Sequence, residues 1–481
     1  MQKLQNYING ELVAPVSGRY IDNYDPAIGE VYSLIPDSGE EDVQQAVAAA
    51  QTAFEGWSLM PAEQRSRIML RISTLIEDNL DRLAKAESVD NGKPVSLATQ
   101  VDIPRAAKNF WFYATGLVHY SSQAHAMENS AINYTLRHPL GVVGCISPWN
   151  LPLYLFSWKI APALAAGNCV VAKPSEITPM TAYLLSEICQ QAGLPKGVLN
   201  IIHGYGHKAG AAIVSHPQVK AISFTGGTKT GEAIAREAAP KFKKLSLELG
   251  GKNPNIIFAD CNYEQMLETT LRSSFANQGQ ICLCGSRIFV EKSLYEKFKK
   301  DFIARVKEMR IGDPAADGTR IGAVVSESHM NKILSYIDLA QQEGGILLTG
   351  GKRHQLQGRC VNGYFVEPTV VEGLSYDCRV NQEEIFGPVV TIMPFETEEE
   401  VLKYANSVQY GLSSTVWTES LNRATRLAQQ IEAGIVWVNC WLLRDLRTPF
   451  GGVKASGVGR EGGFDAMEFF TEPKNVCIKI N

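Results

Sequence analysis

A chain of 481 residues exceeds what one ordinary core supports and predicts about three domain-sized units. Its 46 basic and 50 acidic residues leave a net charge of −4, which argues against a nucleic-acid partner recruited by bulk charge. The longest apolar stretch, residues 160–172, is broken by Asn168 and is shorter than the roughly 20 apolar residues of a membrane span, so no membrane partner is expected.

The N-terminus, "MQKLQNYINGEL", is polar and lacks the apolar core of a secretory signal. Residues 40–55 and 60–120 then carry the helical period, the second region with Pro61 at its start. Residues 131–138, "AINYTLRH", alternate polar and apolar and read as a strand. From 140 onward, β-branched apolar runs alternate with amphipathic segments. Strands are predicted at 141–149, 168–176, 199–204, 221–227 and 243–251, with helices at 153–166, 179–191, 207–215 and 228–238 between them. Five strands with intervening helices predict an α/β fold with an open, mostly parallel sheet, and such sheets bind ligands at the carboxyl ends of their strands.

The Gly-, Asn- and Pro-rich "ELGGKNPN" at 248–255 reads as a seam between domains. A second alternating series follows, with strands at 286–291, 389–395, 412–418 and 434–439. Its helices fall near 262–276, 292–309, 326–343, 397–406 and 419–432. The last nine residues, "PKNVCIKIN", again alternate. With 131–138 they look like strands lacking a partner in their own domain, and so suit pairing between subunits.

Ten cysteines are scattered, most of them inside apolar runs, rather than arranged as a disulfide framework, and a reducing, cytoplasmic compartment is expected. Two stand close together in "FANQGQICLCGSR" (275–287). No C-x-x-C occurs, and no histidine lies in H-E-x-x-H or beside Cys282 and Cys284, which argues against a zinc site or a redox disulfide. No metal is expected. On these residues alone, Cys282 reads as one more buried free thiol.

"GYGHKAG" (204–210) and "FTGGTKTG" (224–231) are Gly-rich turns ahead of helices, suited to a phosphate or to tight packing alike. Neither has the G-x-G-x-x-G or G-x-x-x-x-G-K-[ST] spacing. "SPWN" (147–150), "AKPSE" (172–176) and "LELGGKNP" (247–254) each put a polar side chain at the carboxyl end of a predicted strand. Together with "ANQGQIC" (276–282), "EEIFGP" (383–388) and "PFGGVKASGVGREGG" (449–463), they resemble the aldehyde dehydrogenase superfamily. The resemblance is collinear from about Tyr7 to the C-terminus and rests on six motifs in order.

The resemblance implies a Rossmann-type sheet for NAD, a second α/β catalytic domain and a small β extension for oligomerisation. The expected division is 1–120 with 140–248, then 249–465, with 121–139 and 466–481 as a bridging segment in a homodimer or homotetramer. It implies Cys282 as nucleophile, Asn150 as oxyanion donor and Glu248 as the base that activates water, with Cys284 a packing thiol. Lys173 and Glu176 match positions that hold the adenosine ribose, and the carboxylate of Glu176 favours NAD over NADP. Glu384, with Phe386 beside it, matches the nicotinamide-ribose position. Trp149, Gly206, Gly210, Phe224, Gly226, Gly227 and Gly231 complete the expected cofactor contacts. Gly227 is a departure, since many family members carry Ser there.

For the substrate, an aldehyde, the expected tunnel is lined by 102–114, 150–158 and 440–450, with Tyr154, Trp158 and Phe450 as its aromatic contacts. Arg105 and Arg444 stand where members acting on plain aliphatic aldehydes tend to be apolar. Two arginines opposite a thiol suit a bidentate clamp for a substrate carboxylate, or else exposed salt bridges. "DIPR", "SPWNLPLYLFSWKIAPALAAGN", "SSFANQGQICLC" and "NCWLLRDL" look most like the 2-aminomuconic and 2-hydroxymuconic semialdehyde dehydrogenases, enzymes of tryptophan and aromatic-ring degradation. An aliphatic or retinoid aldehyde, or a non-catalytic role on the same scaffold, are the alternatives.

Overall fold

The computed structural model describes residues 1–480. Its first sheet has eight strands. Five run parallel in the spatial order Lys244–Glu248, Val219–Thr225, Val142–Ile146, Cys169–Lys173 and Leu199–Ile201. These are the five strands expected from the apolar runs. The chain order reverses between Val142–Ile146 and Val219–Thr225, which makes that crevice the topological switch point. Register there pairs Phe224 with Ile146 and Thr225 with Glu248.

Antiparallel strands absent from the sequence reading extend both edges. Asn6–Ile8 and Glu11–Val13 extend one, and Gly457–Val458 the other. The helix Pro152–Ala165 is buried at every position, which explains why its sequence, Ser157 and Lys159 apart, is apolar on every face.

The chain leaves this sheet at Glu248 and enters a seven-stranded sheet at Pro254. The strand Pro254–Ile257 lies between Arg287–Glu291 and Ser413–Trp417 and is fully buried. Its first two residues fall in the expected seam, 248–255, where Asn-Pro-Asn resembles a turn. Pro254 is its first residue, however, where a missing N–H is tolerated. Thr369–Glu372 and Ile346–Thr349 were also missed.

One expectation is corrected. The strands near 131–138 and the C-terminus have partners in their own chain. Thr471–Lys479 pairs antiparallel with Ala131–Pro139, which pairs with Ala124–Met127. Alternation revealed the strands but not that they belong to each other, more than 300 residues apart. Asn481, the end of the predicted last strand, lies outside the described residues. Among the described residues, no helix is long and apolar enough to cross a membrane.

Candidate active site

The switch point sets Trp149 and Asn150 after one strand, Gly226 and Gly227 after its neighbour, and Glu248 at the end of the next. Facing them, the loop after Tyr263–Phe275 bends through three left-handed residues: Asn277 (φ 51°), Gln278 (φ 56°) and Gly279 (φ 71°). Left-handed backbone costs a non-glycine residue roughly 1–2 kcal/mol. The amide side chains offset that cost by bonding what the irregular backbone leaves unpaired. Asn277 Nδ2 donates to Asn150 O (2.9 Å) and Gln280 O (3.2 Å), and Gln278 Nε2 to Ala323 O (2.7 Å). Gln280 Nε2 donates to Asn277 O (3.1 Å) and its Oε1 accepts from Val325 N (3.0 Å). At Gly279 a Cβ would fall 2.2 Å from Gly387 O, so only glycine lets the "EEIFGP" loop cross here.

The next three carbonyls are held from outside. Asn253 Nδ2 donates to Cys282 O (2.7 Å) and Cys284 O (2.9 Å), and Trp441 Nε1 to Leu283 O (2.9 Å). Cys282 is half-buried, whereas Cys284 is buried against Ile281, Leu283 and Trp441. Burial, then Glu384, Glu248 and Cys284, push the Cys282 thiol well above its usual range, and Arg444 opposes them. Burial thus works against the thiolate here, and the positive charge of Arg444 works for it.

Asn150 is buried, and its Nδ2 donates to Gln280 O (3.0 Å), two residues before the thiol. That bond takes one of the two amide hydrogens; the other can meet an oxyanion. Glu248 is buried with Oε1 unpaired. Burial and then Glu461 hold its carboxyl well above the ordinary carboxylate range, against Lys159, Arg444 and Arg460. A carboxyl shifted in this direction suits proton transfer. The "PFGGVKASGVGREGG" segment secures it. Leu249 N donates to Ser456 O (2.9 Å), Ser456 Oγ to Gly250 O (2.6 Å), and Gly457–Val458 pairs with Leu247–Glu248.

Among the residues expected to meet the cofactor, Lys173 Nζ meets Glu176 Oε2 at 3.1 Å. Burial works to raise the Glu176 pKa, but Lys173 and backbone N–H groups including Gly206 hold it below its usual value. Gly206 and Gly210 bound a π-helical turn, and Gly210 packs on the Lys173 stem. Gly226 lies on the Phe224 ring and Gly231 on Leu249. Gly227 precedes the helix Thr228–Ala238 with open space before it. The buried hydroxyls of Ser147 and Thr225 have no protein partner, so the cradle retains polar capacity for a ligand. Glu384 Oε1 accepts from Gly251 N (2.8 Å), and Phe386 and Trp149 rings meet edge-on at 5.3 Å. His329, which sequence reading passed over, completes that aromatic group. Its Nε2 donates to Phe386 O (2.7 Å), and burial lowers its pKa to about 4.

The residues expected to line the substrate tunnel come together around Tyr154. Arg444 Nη1 donates to Tyr154 Oη (3.0 Å), and the Arg105 guanidinium lies 5.5 Å from the same ring. Arg444 also stacks on Phe450 (3.8 Å) and Trp158 (4.9 Å). Arg447 is exposed and paired with Asp445, outside this group.

Two buried ion networks were not foreseen. Lys159 Nζ meets Glu461 Oε1 at 2.7 Å, and Ser223 Oγ donates to that same oxygen at 3.1 Å. Lys93 Nζ meets Asp102 (2.6 Å) and Glu87 (3.3 Å). Lys159 had a usable signal, a cation midway along a largely apolar helix; Lys93 had none. Among the described residues, no cluster of metal-ligating side chains occurs.

A thiol, an amide donor and a carboxylate facing the switch point of a doubly wound sheet can perform covalent thiol catalysis beside a bound dinucleotide. The aldehyde dehydrogenase family model matches residues 13–476, and the chain belongs to that family. It is 49% identical to the 2-aminomuconic semialdehyde dehydrogenase of Bos taurus, covering 99% of this chain and 98% of that one. It is 46% identical to the 2-hydroxymuconic semialdehyde dehydrogenase of Pseudomonas sp. strain CF600 over the full length of both. An aldehyde dehydrogenase from Bacillus cereus, solved as its NAD+ complex, superposes with a TM-score of 0.97 at 38% identity, covering 100% of this chain and 97% of that one.

Proposed function

We propose that this enzyme oxidises a carboxylate-bearing semialdehyde of the 2-aminomuconic or 2-hydroxymuconic class to the acid, with NAD as acceptor. The convergence of Arg105 and Arg444 on Tyr154, on the side of the site that holds Cys282, carries this reading. An uncharged aldehyde would leave two guanidinium groups there without an anion.

The residues fit NAD. Lys173 and Glu176 would hold the adenosine ribose, the turns at 206–210 and 224–231 the pyrophosphate, and Glu384 with Phe386 and Trp149 the nicotinamide riboside. NAD, when bound, supplies the hydride acceptor. Cys282, as thiolate, adds to the aldehyde carbon to form a thiohemiacetal. Its oxyanion is met by the free Asn150 amide hydrogen and the Cys282 N–H. Loss of hydride leaves a thioester on Cys282. Glu248 then takes a proton from water, which attacks the thioester and releases the acid and the thiol.

The proposed division is 1–120 with 140–248, 249–465, and a bridging part of 121–139 with 466–481; the eight-stranded, the seven-stranded and the Ala131–Pro139 sheets support it, with Gly457–Val458 crossing to the edge of the first. The bridging sheet exposes Ile132, Leu136 and Ile478 on one face, and Thr471–Lys479 forms one of its two edges. An apolar face beside an open strand edge suits a homodimer or homotetramer. The ten free thiols suit a reducing cytoplasm.

Steady-state NADH production with a muconic semialdehyde and with an uncharged aldehyde of equal length tests the reading. A kcat/KM preference of ten-fold or more for the charged aldehyde is expected. An equal or reversed preference would overturn it.

A further inference from the structure

Beneath Asn150 lies a buried ion triad that the reaction does not touch. Lys93, Glu87 and Asp102 have side chains with no exposure to solvent. The Lys93 ammonium has three protons and meets three acceptors: Asp102 Oδ2 at 2.6 Å, Glu87 Oε1 at 3.3 Å and Asn150 O at 3.1 Å. The other Glu87 oxygen accepts from Leu153 N (3.2 Å), at the start of the helix that follows Asn150. Asn91 Nδ2 donates to Trp149 O (3.0 Å) and Asn150 O (3.4 Å), and Asn277 Nδ2 also reaches Asn150 O. Three donors thus converge on one main-chain carbonyl. Asp102 ends a π-helical turn, Ala98–Asp102, that leads directly into the helix bearing Arg105. Single π turns inside helices are frequent at functional sites.

Buried ion pairs are weak evidence of stability, because desolvation commonly cancels the attraction and an apolar replacement is often as stable. What this triad does supply is a fixed position. We infer that Lys93 is a positioning residue of the oxyanion site. It clamps the Asn150 main chain between the thiol loop and the tunnel helix, so that the free side-chain amide hydrogen stays aimed at the developing oxyanion. The inference rests on the reading of Asn150 as an oxyanion donor.

A double-mutant cycle tests it, with first-turnover NADH formation as the readout and Lys93→Gln and Asn150→Ala as the two changes. Asn150→Ala alone should slow the first turnover roughly a hundred-fold or more, as loss of an oxyanion donor does. Lys93→Gln should slow it about ten-fold or more, the scale set by misplacing a catalytic group. In the Asn150→Ala background, Lys93→Gln should change the rate by less than about two-fold, because nothing remains to position. NAD affinity and the rate of Cys282 alkylation by iodoacetamide, which needs no oxyanion donor, should stay within about two-fold. Where the loss of one cation prevents folding, Lys93→Gln with Asp102→Asn removes one charge of each sign and carries the same cycle.

Losses that multiply in both backgrounds would make the triad a structural element only and overturn the inference. So would an unchanged first turnover in Lys93→Gln. A normal first turnover in Asn150→Ala would instead remove the oxyanion reading itself, and the inference with it.

Discussion

Replacing Arg444 with Met keeps most of the stem and removes the charge. In the folded enzyme this guanidinium donates one hydrogen bond, to Tyr154 Oη at 3.0 Å, and stacks on Phe450 and Trp158. Of its five N–H donors, four remain for a substrate carboxylate. One charge-assisted bond contributes roughly 1.5–3 kcal/mol, which is roughly 10- to 150-fold in kcat/KM. The lost stacking on the buried Phe450 and Trp158 rings, roughly 1–2 kcal/mol per contact, falls equally on charged and uncharged aldehydes.

A second effect must be separated from the first. Arg444 lowers the pKa of both Cys282 and Glu248, so its removal raises both. Both groups act deprotonated, and the acid limb of the rate profile should move to higher pH. At neutral pH every substrate would lose rate for that reason alone. The comparison therefore belongs on the alkaline plateau. There, kcat/KM for the semialdehyde acid should fall at least ten-fold further than for an uncharged aldehyde of equal length. Equal losses on that plateau would refute the carboxylate clamp and leave Arg444 as packing and electrostatic support.

Cys282→Ala should abolish oxidation, while Cys284→Ala, which removes a thiol buried against Leu283 and Trp441, should retain most of it; NADH assays on folded variants decide between them. Glu248→Gln should spare the first NADH burst more than turnover, so that an acyl-enzyme accumulates and is visible by intact-protein mass spectrometry. Because the Glu248 pKa is raised, wild-type deacylation should fall as pH drops through a value above the ordinary carboxylate range, and the variant should lose that limb. NADP should be a poor acceptor, and Glu176→Gln should narrow the gap in KM between the two dinucleotides. Equal use of both by the wild type would contradict that role.

Much of this protein could be read from short-range pattern. The β-branched runs at 142–146, 169–173, 199–201, 219–225 and 244–248 became the five parallel strands because a strand buried on both faces must be apolar throughout. Asn150, Glu248 and Cys282 were singled out differently, by six collinear motifs that resemble one family; local composition alone left Cys282 as one more buried free thiol. Partnership across long separations was not legible. Lys159 and Glu461 are 302 residues apart, and Arg444 and Tyr154 are 290. Nothing in either local stretch specifies the other, since the burial that makes such pairs obligatory arises only when the sheets pack. The Pro254–Ile257 strand was hidden likewise: its first two residues fall in a stretch that resembles a turn, and flanking strands from residues 287 and 413 onward make it central. Chemistry that depends on one residue type in one loop was carried by the sequence. The electrostatics that tune it, from the raised Glu248 carboxyl to the Lys93 clamp on Asn150, exist only where folding removes water from charges the chain keeps far apart.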